Sequence, residues 1–256
     1  MNPEPGKTVL EARGLEIGYE GYPVMRGLDF SVKKGDIFIV MGGSGCGKST
    51  LLKACTGLLE PAAGEILYGG DNFWKAGDAV QNRIMRRFGV LFQGGALWSS
   101  LTLGENIALP LQLYSKLTAL EIREMVELKL SMVGLSGYAD FYPSEISGGM
   151  RKRAGLARAI ALDPEIIFFD EPSAGLDPVS ARMLDDLILQ LRDMFDATVV
   201  VVTHELASIM AVGSNSIFLD AESKTMIAAG PPRELLAGSK DARVINFLTR
   251  GKKKEP

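Results

Sequence analysis

Histidine, cysteine and aromatic residues are scarce in this chain, neither sign of charge dominates, and long apolar runs are missing. Of 256 residues, one is a histidine (His204) and two are cysteines (Cys46 and Cys55). Two cysteines make no disulfide framework, and their positions in one glycine-rich loop and the segment after it predict reduced thiols in a cytosol-like compartment. The 28 basic and 31 acidic residues leave a net charge of −3, which gives no electrostatic case for a nucleic-acid partner. No stretch approaches the roughly 18 consecutive apolar residues of a membrane span. Met1–Lys7 has no apolar core, so no signal peptide is predicted. The Lys252-Lys253-Lys254 run reads as a solvated end. No internal repeat, low-complexity segment or second phosphate loop occurs.

What is present is concentrated around Gly42-Gly43-Ser44-Gly45-Cys46-Gly47-Lys48-Ser49-Thr50. An apolar run, Ile37–Met41, precedes it and a helix-like segment, Leu51–Cys55, follows. Strand, glycine-rich turn and helix with Lys-Ser at its start form the context of a phosphate-binding loop. Backbone N–H groups can ring an anion only where no Cβ blocks the approach. The helix beginning near Lys48 adds unpaired N–H groups and a positive dipole end. Lys48 supplies a full charge for β and γ phosphates, and the Ser49 hydroxyl suits Mg²⁺. An ordinary glycine-rich turn explains the glycines but not Lys-Ser at this spacing.

Upstream, Thr8–Val40 reads as three or four short strands, with Leu15, Ile17 and Tyr19 on one alternating face. Tyr19 either stacks on a base or packs between strands. Downstream, Gly64–Gly70 reads as a strand and turn, Asp78–Arg87 as a short helix and Phe88–Phe92 as a strand ending at Gln93. From Leu101 to Tyr142 the pattern becomes helical, with Leu117, Leu120, Met125, Leu128 and Met132 close to one apolar stripe expected to face the core. Ser147-Gly148-Gly149 opens a further helix, Ser147 being placed to cap it. Arg151, Lys152, Arg153 and Arg158 on that helix are consistent with a solvated basic face.

Glu165–Phe169 has the continuous apolar character of a central parallel strand, and it delivers Asp170 and Glu171 at its carboxyl end, where such sheets bind ligands. Asp170 is placed to hold Mg²⁺ and its waters, Glu171 to accept a proton from an attacking water. Asp177-Pro178 starts another helix. Thr198–Thr203 is a second buried strand, ending at His204 on the edge already marked by Gly42 and Glu171.

Taken together, these motifs resemble the nucleotide-binding subunit of ATP-binding cassette (ABC) transporters over residues 8–238. Tyr19 matches the family's adenine-stacking aromatic, Gly42–Ser49 the Walker A loop and Gln93 the loop glutamine. Ser147-Gly148-Gly149 matches the signature, Asp170-Glu171 Walker B and its glutamate, Asp177 the following aspartate loop and His204 the switch histidine. The implied fold is α/β: a P-loop NTPase core with an antiparallel β subdomain and a helical subdomain inserted at about 94–145. Residues 239–256 form an apolar helix and basic tail. One departure stands out: the signature reads Ile146-Ser147-Gly148-Gly149-Met150, where Gln is the common fifth residue. Together with Phe92–Trp98 and the tail Val244–Leu248, Met150 resembles the Mla-type, MCE-associated phospholipid systems of diderm envelopes.

The resemblance implies ATP and Mg²⁺ as ligands and a head-to-tail homodimer. In it, ATP lies between Walker A of one copy and the signature helix of the other. It further implies Lys48, Glu171 and His204 as catalytic residues and Ser49, Gln93 and Asp170 around Mg²⁺. Nucleotide contacts fall to Tyr19, Gly42–Thr50, Gln93, Ser147–Gly149 and Asp177. A membrane permease and an MCE-domain protein are the implied partners, with the chain peripheral on the cytoplasmic side of the inner membrane. A transporter of amino acids or lipoproteins shares these motifs. Non-transport ABC factors usually carry two cassettes or a coiled-coil insertion, and neither is present.

Overall fold

The computed structural model describes residues 6–251; the Lys252–Lys254 run and Met1–Pro5 lie outside them. The chain divides into two compact units, one built from the segments up to Ile84 and from Thr198 onward, the other from Met85–Ala197.

In the first unit, β1 (Thr8–Tyr19) and β2 (Tyr22–Lys33) form an antiparallel pair of 12-residue strands, and β4 (Ala63–Tyr68) with β5 (Asp71–Asn72) extends the sheet to the order β2-β1-β4-β5. Three strands span this stretch, within the expected three or four, but the first two are long where short ones were expected. Register shifts at Ala12/Leu15, Leu15/Ile17 and Ile17/Gly18 explain the misreading. Each bulge resets the alternation of inward side chains, so one bent strand reads as two. The inward set, Leu10, Leu15, Ile17, Met25 and Leu28, is fully buried.

Beyond it, β3 (Ile37–Gly42), buried along its whole length, lies parallel to both β8 (Thr198–Val202) and β9 (Asn215–Asp220). The antiparallel β10 (Thr225–Ala229) closes that edge. Helix α1 (Lys48–Cys55) follows β3, and α2 (Asp78–Met85), α7 (Leu206–Val212) and α8 (Pro232–Gly238) are short. The apolar C-terminal segment is α9 (Ala242–Thr249). It packs on its own unit: Val244 and Leu248 are buried, Phe247 meets the Phe218 ring edge-on at 5.1 Å, and Arg243 pairs with Asp220 at 2.9 Å.

The second unit holds the parallel pair β6 (Phe88–Leu91) and β7 (Ile166–Asp170). Its helices are α3 (Leu103–Tyr114), α4 (Ala119–Met132), α5 (Gly148–Ala159) and α6 (Pro178–Phe195). Capping boxes at Thr102/Glu105 and Thr118/Glu121 start α3 and α4, each satisfying two of the orphan N–H groups at its helix end. The apolar stripe expected on α4 is corrected: Leu120 and Leu128 are 64% and 51% exposed. The buried positions are instead Val126, Lys129 and Leu130. Lys129 belongs there because its ammonium pairs with Asp163 and lies 5.1 Å over the Phe195 ring. No helix among the described residues is long and apolar enough to cross a membrane.

Candidate nucleotide-binding site

The first unit presents Tyr19, the Gly42–Thr50 loop and His204. Because β3 and β8 run parallel, with Val40 opposite Val202, the loop after one and the histidine after the other leave the sheet at the same edge. Two of the glycines are required by the backbone. A Cβ on Gly42, at φ 152°, would sit 2.3 Å from the Leu219 carbonyl oxygen, and Gly47 holds φ 88° at the α1 N-cap with Val24 Cγ1 2.6 Å from any Cβ. Gly47 offers α1 no side-chain cap, and the positive end of the helix dipole there favours an anion. Gly43, Ser44 and Gly45 are exposed.

Lys48 is buried, and its ammonium donates to the carbonyls of Gly42 and Gly43 at 3.0 and 2.9 Å. These bonds fold the loop back onto the Lys48 ammonium. Cys46 Sγ lies 3.9 Å from the same ammonium, and burial pushes its thiol up despite Lys48. Cys55 is pushed up to about 12 by burial alone. Both thiols are free, and shifts in this direction keep them protonated near neutral pH.

Tyr19, at the β1 end opposite Tyr22, is 52% exposed. Its ring is therefore not wedged between strands and offers a face for stacking. His204 is exposed, with Nε2 3.9 Å from the Glu205 carboxylate.

The second unit presents Gln93, the Ser147 cap, Asp170-Glu171 and Asp177. Asp170 ends β7 and Gln93 lies two residues past the end of β6, its parallel partner, with Leu91 opposite Phe169, so they too share an edge. Glu171 is 9% exposed and has φ 47°, a left-handed conformation that costs a non-glycine residue roughly 1–2 kcal/mol. Asp177 caps α6, accepting from the N–H groups of Val179 and Ser180 at 3.0 Å each. The Ser180 hydroxyl bond above all, with these amide bonds, holds its carboxyl below the usual range.

Ser147 caps α5 by accepting from Met150 N at 3.2 Å. The two glycines after it have no local steric reason. A Cβ on Gly148 would meet nothing closer than 3.6 Å and one on Gly149 nothing closer than 3.7 Å, and neither has positive φ. Glycine in a helix costs about 0.5–1 kcal/mol relative to alanine, so this bare turn is suited to close approach from outside the chain.

The basic residues of α5 are not a solvated face. Arg151 donates to Ile146 O at 2.8 Å, Arg153 to Val133 O at 2.9 Å, and Arg158 to Ala96 O and Gly95 O at 2.9 and 3.1 Å. Lys152 is 7% exposed and donates to Pro172 O and Ala174 O. All four tie the helix to neighbouring turns. Sequence reasoning missed Lys152 and Arg158. The available signal was that Lys152 shares its helix face with Gly155 and Leu156, small and apolar residues that are buried.

A family model described as ABC transporter matches residues 25–174. The chain belongs to the ABC transporter family. It is an ATP-binding cassette, and the activity of that family is ATP hydrolysis. The chain is 39% identical over 242 residues to the "Intermembrane phospholipid transport system ATP-binding protein MlaF" of Haemophilus influenzae, covering 94% of this chain and 90% of that protein. It is 40% identical over 244 residues to the "Probable ribonucleotide transport ATP-binding protein mkl" of Mycobacterium tuberculosis H37Rv, covering 95% of this chain and 67% of that protein. A solved dimer of the ATP-binding cassette MJ0796, in a post-hydrolysis state with ADP and Pi, superposes with a TM-score of 0.78 at 28% identity, over 86% of this chain and 97% of that one. The cassette thus has the α/β fold of the P-loop ATPases.

Proposed function

We propose that this cassette powers a bacterial transporter that moves phospholipid across the envelope, working as a head-to-tail homodimer on the cytoplasmic face of the inner membrane. The observation carrying the cargo is coverage: the alignment takes in 90% of the MlaF protein but 67% of the mkl protein, at nearly equal identity. The nearly equal identity to mkl makes ribonucleotide the second reading of the cargo. The dimer is supported by the Gly148-Gly149 turn, bare for approach by a second copy, and by the dimeric relative. A permease embedded in the membrane and an MCE-domain protein complete the assembly.

Within the dimer, Tyr19 stacks on adenine, and the Gly42–Thr50 loop wraps the phosphates with Lys48 at the β and γ oxygens. Glu171 accepts the proton of the attacking water and His204 contacts the γ-phosphate. Ser147 and the Gly149 N–H of the partner subunit complete the charge clamp, and Asp177 lies beside that junction. Ser49, Gln93 and Asp170 offer an all-oxygen donor set, which fits Mg²⁺ held largely by phosphates and water. Bound there, Mg²⁺ would neutralise phosphate charge.

The test is isolation of tagged chain from its native membrane in mild detergent, with mass spectrometry of proteins and lipids. A permease with an MCE-domain protein and phospholipid is the expected result. A permease with another binding protein changes the cargo, and recovery with ribosomes or DNA instead of a permease removes transport.

A further inference from the structure

After Asp170 the chain reverses sharply. Glu171 takes its left-handed conformation, Ala174 N donates to Glu171 O at 3.2 Å and Leu176 N to Ser173 O at 3.1 Å. Two carbonyls of this turn converge on one cation: Lys152 Nζ donates to Pro172 O at 2.7 Å and to Ala174 O at 2.5 Å. Lys152 stands five residues after the Ser147 cap, on the helix that carries the signature. A buried ammonium is costly unless its donors are met, and here the partners are the two peptide groups that flank Ser173, just beyond Glu171. Burial lowers the ammonium's proton affinity and the Glu171 carboxylate raises it, so the base itself lies within electrostatic reach.

We propose that Lys152 is a positioning residue for ATP hydrolysis, clamping the Glu171–Ala174 turn to the signature helix so that the base, the aspartate at Asp177 and the Ser147 cap keep one geometry. It acts through the backbone of the turn, not on the nucleotide. Any shift of α5 is carried to the turn that sets the Glu171 carboxylate, which gives the signature a mechanical line to the base within one chain. The inference rests on the assignment of Glu171 as base and Ser147 as phosphate ligand.

The experiment compares the full chain with Lys152→Met, Lys152→Arg and Glu171→Gln. It measures kcat and KM for ATP, equilibrium nucleotide binding, and hydrogen exchange over residues 170–178. Loss of position at a reacting group costs about a hundredfold, and that fall in kcat is expected for K152M. Nucleotide affinity is expected to stay unchanged, exchange in the turn to rise, and K152R, which still donates to both carbonyls, to recover most of the rate. Wild-type kcat in K152M overturns the proposal, as does a loss of kcat without faster exchange at the turn. If K152M does not fold, K152Q is judged by the same two readouts. Wild-type hydrolysis by E171Q would remove the base assignment, leaving the clamp to be judged by exchange alone. An inactive E171Q beside a fully active K152M would remove only Lys152.

Discussion

Ser147 caps α5 and, in the proposed dimer, also contacts phosphate; substitution can tell the two roles apart. As an N-cap it accepts one hydrogen bond, from Met150 N at 3.2 Å, on the exposed end of α5. Removing such a cap costs about 1 kcal/mol, which for a chain of this size lowers Tm by roughly 2–4 °C. If the hydroxyl also contacts the γ-phosphate in the second copy, Ser147→Ala loses one preorganised donor in the transition state, worth about 10²–10³ in kcat. Ser147→Asp separates the two. Aspartate caps as well as serine, and its charge is favourable at a helix N-terminus, so Tm should hold or rise. The same carboxylate would face phosphate oxygens across the dimer, and hydrolysis should vanish. Ser147→Arg should likewise block hydrolysis. In all three variants nucleotide binding to the single chain should persist, because the Lys48 loop belongs to the other unit. The assays are thermal unfolding, steady-state ATPase and equilibrium binding of a fluorescent nucleotide. An S147D chain that hydrolyses ATP at the wild-type rate would reduce Ser147 to a cap and refute the reasoning.

Gly89→Ala should destabilise the second unit. A Cβ there would lie 2.0 Å from the Ala159 carbonyl oxygen, and such overpacking between backbones costs about 3 kcal/mol; unchanged thermal unfolding would contradict the close seating of α5 on β6. Asp241 accepts from the Arg243 guanidinium and, as the cap of α9, from Arg243 N, and these bonds, the guanidinium's first, depress its carboxyl to about 2. Its folded value is below its unfolded one, so its stabilising contribution is complete above the ordinary carboxylate range and is lost as pH falls through about 2. An NMR titration of this carboxyl should place its midpoint near that value, and an ordinary midpoint of about 4 would deny the pairing with Arg243.

Contiguous motifs were legible in the sequence because their chemistry is local. The Gly42–Thr50 loop, the cap at Ser147 and the Asp170-Glu171 strand end each depend on neighbours within a few residues. Features set by tertiary packing were not legible. The bulges in β1 broke its alternation into apparent short strands. Leu120 and Leu128 followed helical spacing yet face outward, while Lys129 took the inward place because Asp163 and Phe195 receive it. The basic residues of α5 looked like a wet face because sequence gives charge, not the carbonyls that meet it. Their partners lie 5 to 63 positions away in the chain. For Tyr19 the residue type left two readings, and exposure favours the open ring.

The central claim is that two copies close over ATP, with the base of one chain acting opposite the signature of the other. The most direct measurement is the mass of the Glu171→Gln chain by light scattering, with and without saturating MgATP. The account predicts that the mass doubles with ATP, that hydrolysis is nearly abolished, and that adding Ser147→Arg restores the single-chain mass. A Glu171→Gln chain that stays single with ATP bound, or that turns ATP over rapidly, would contradict it.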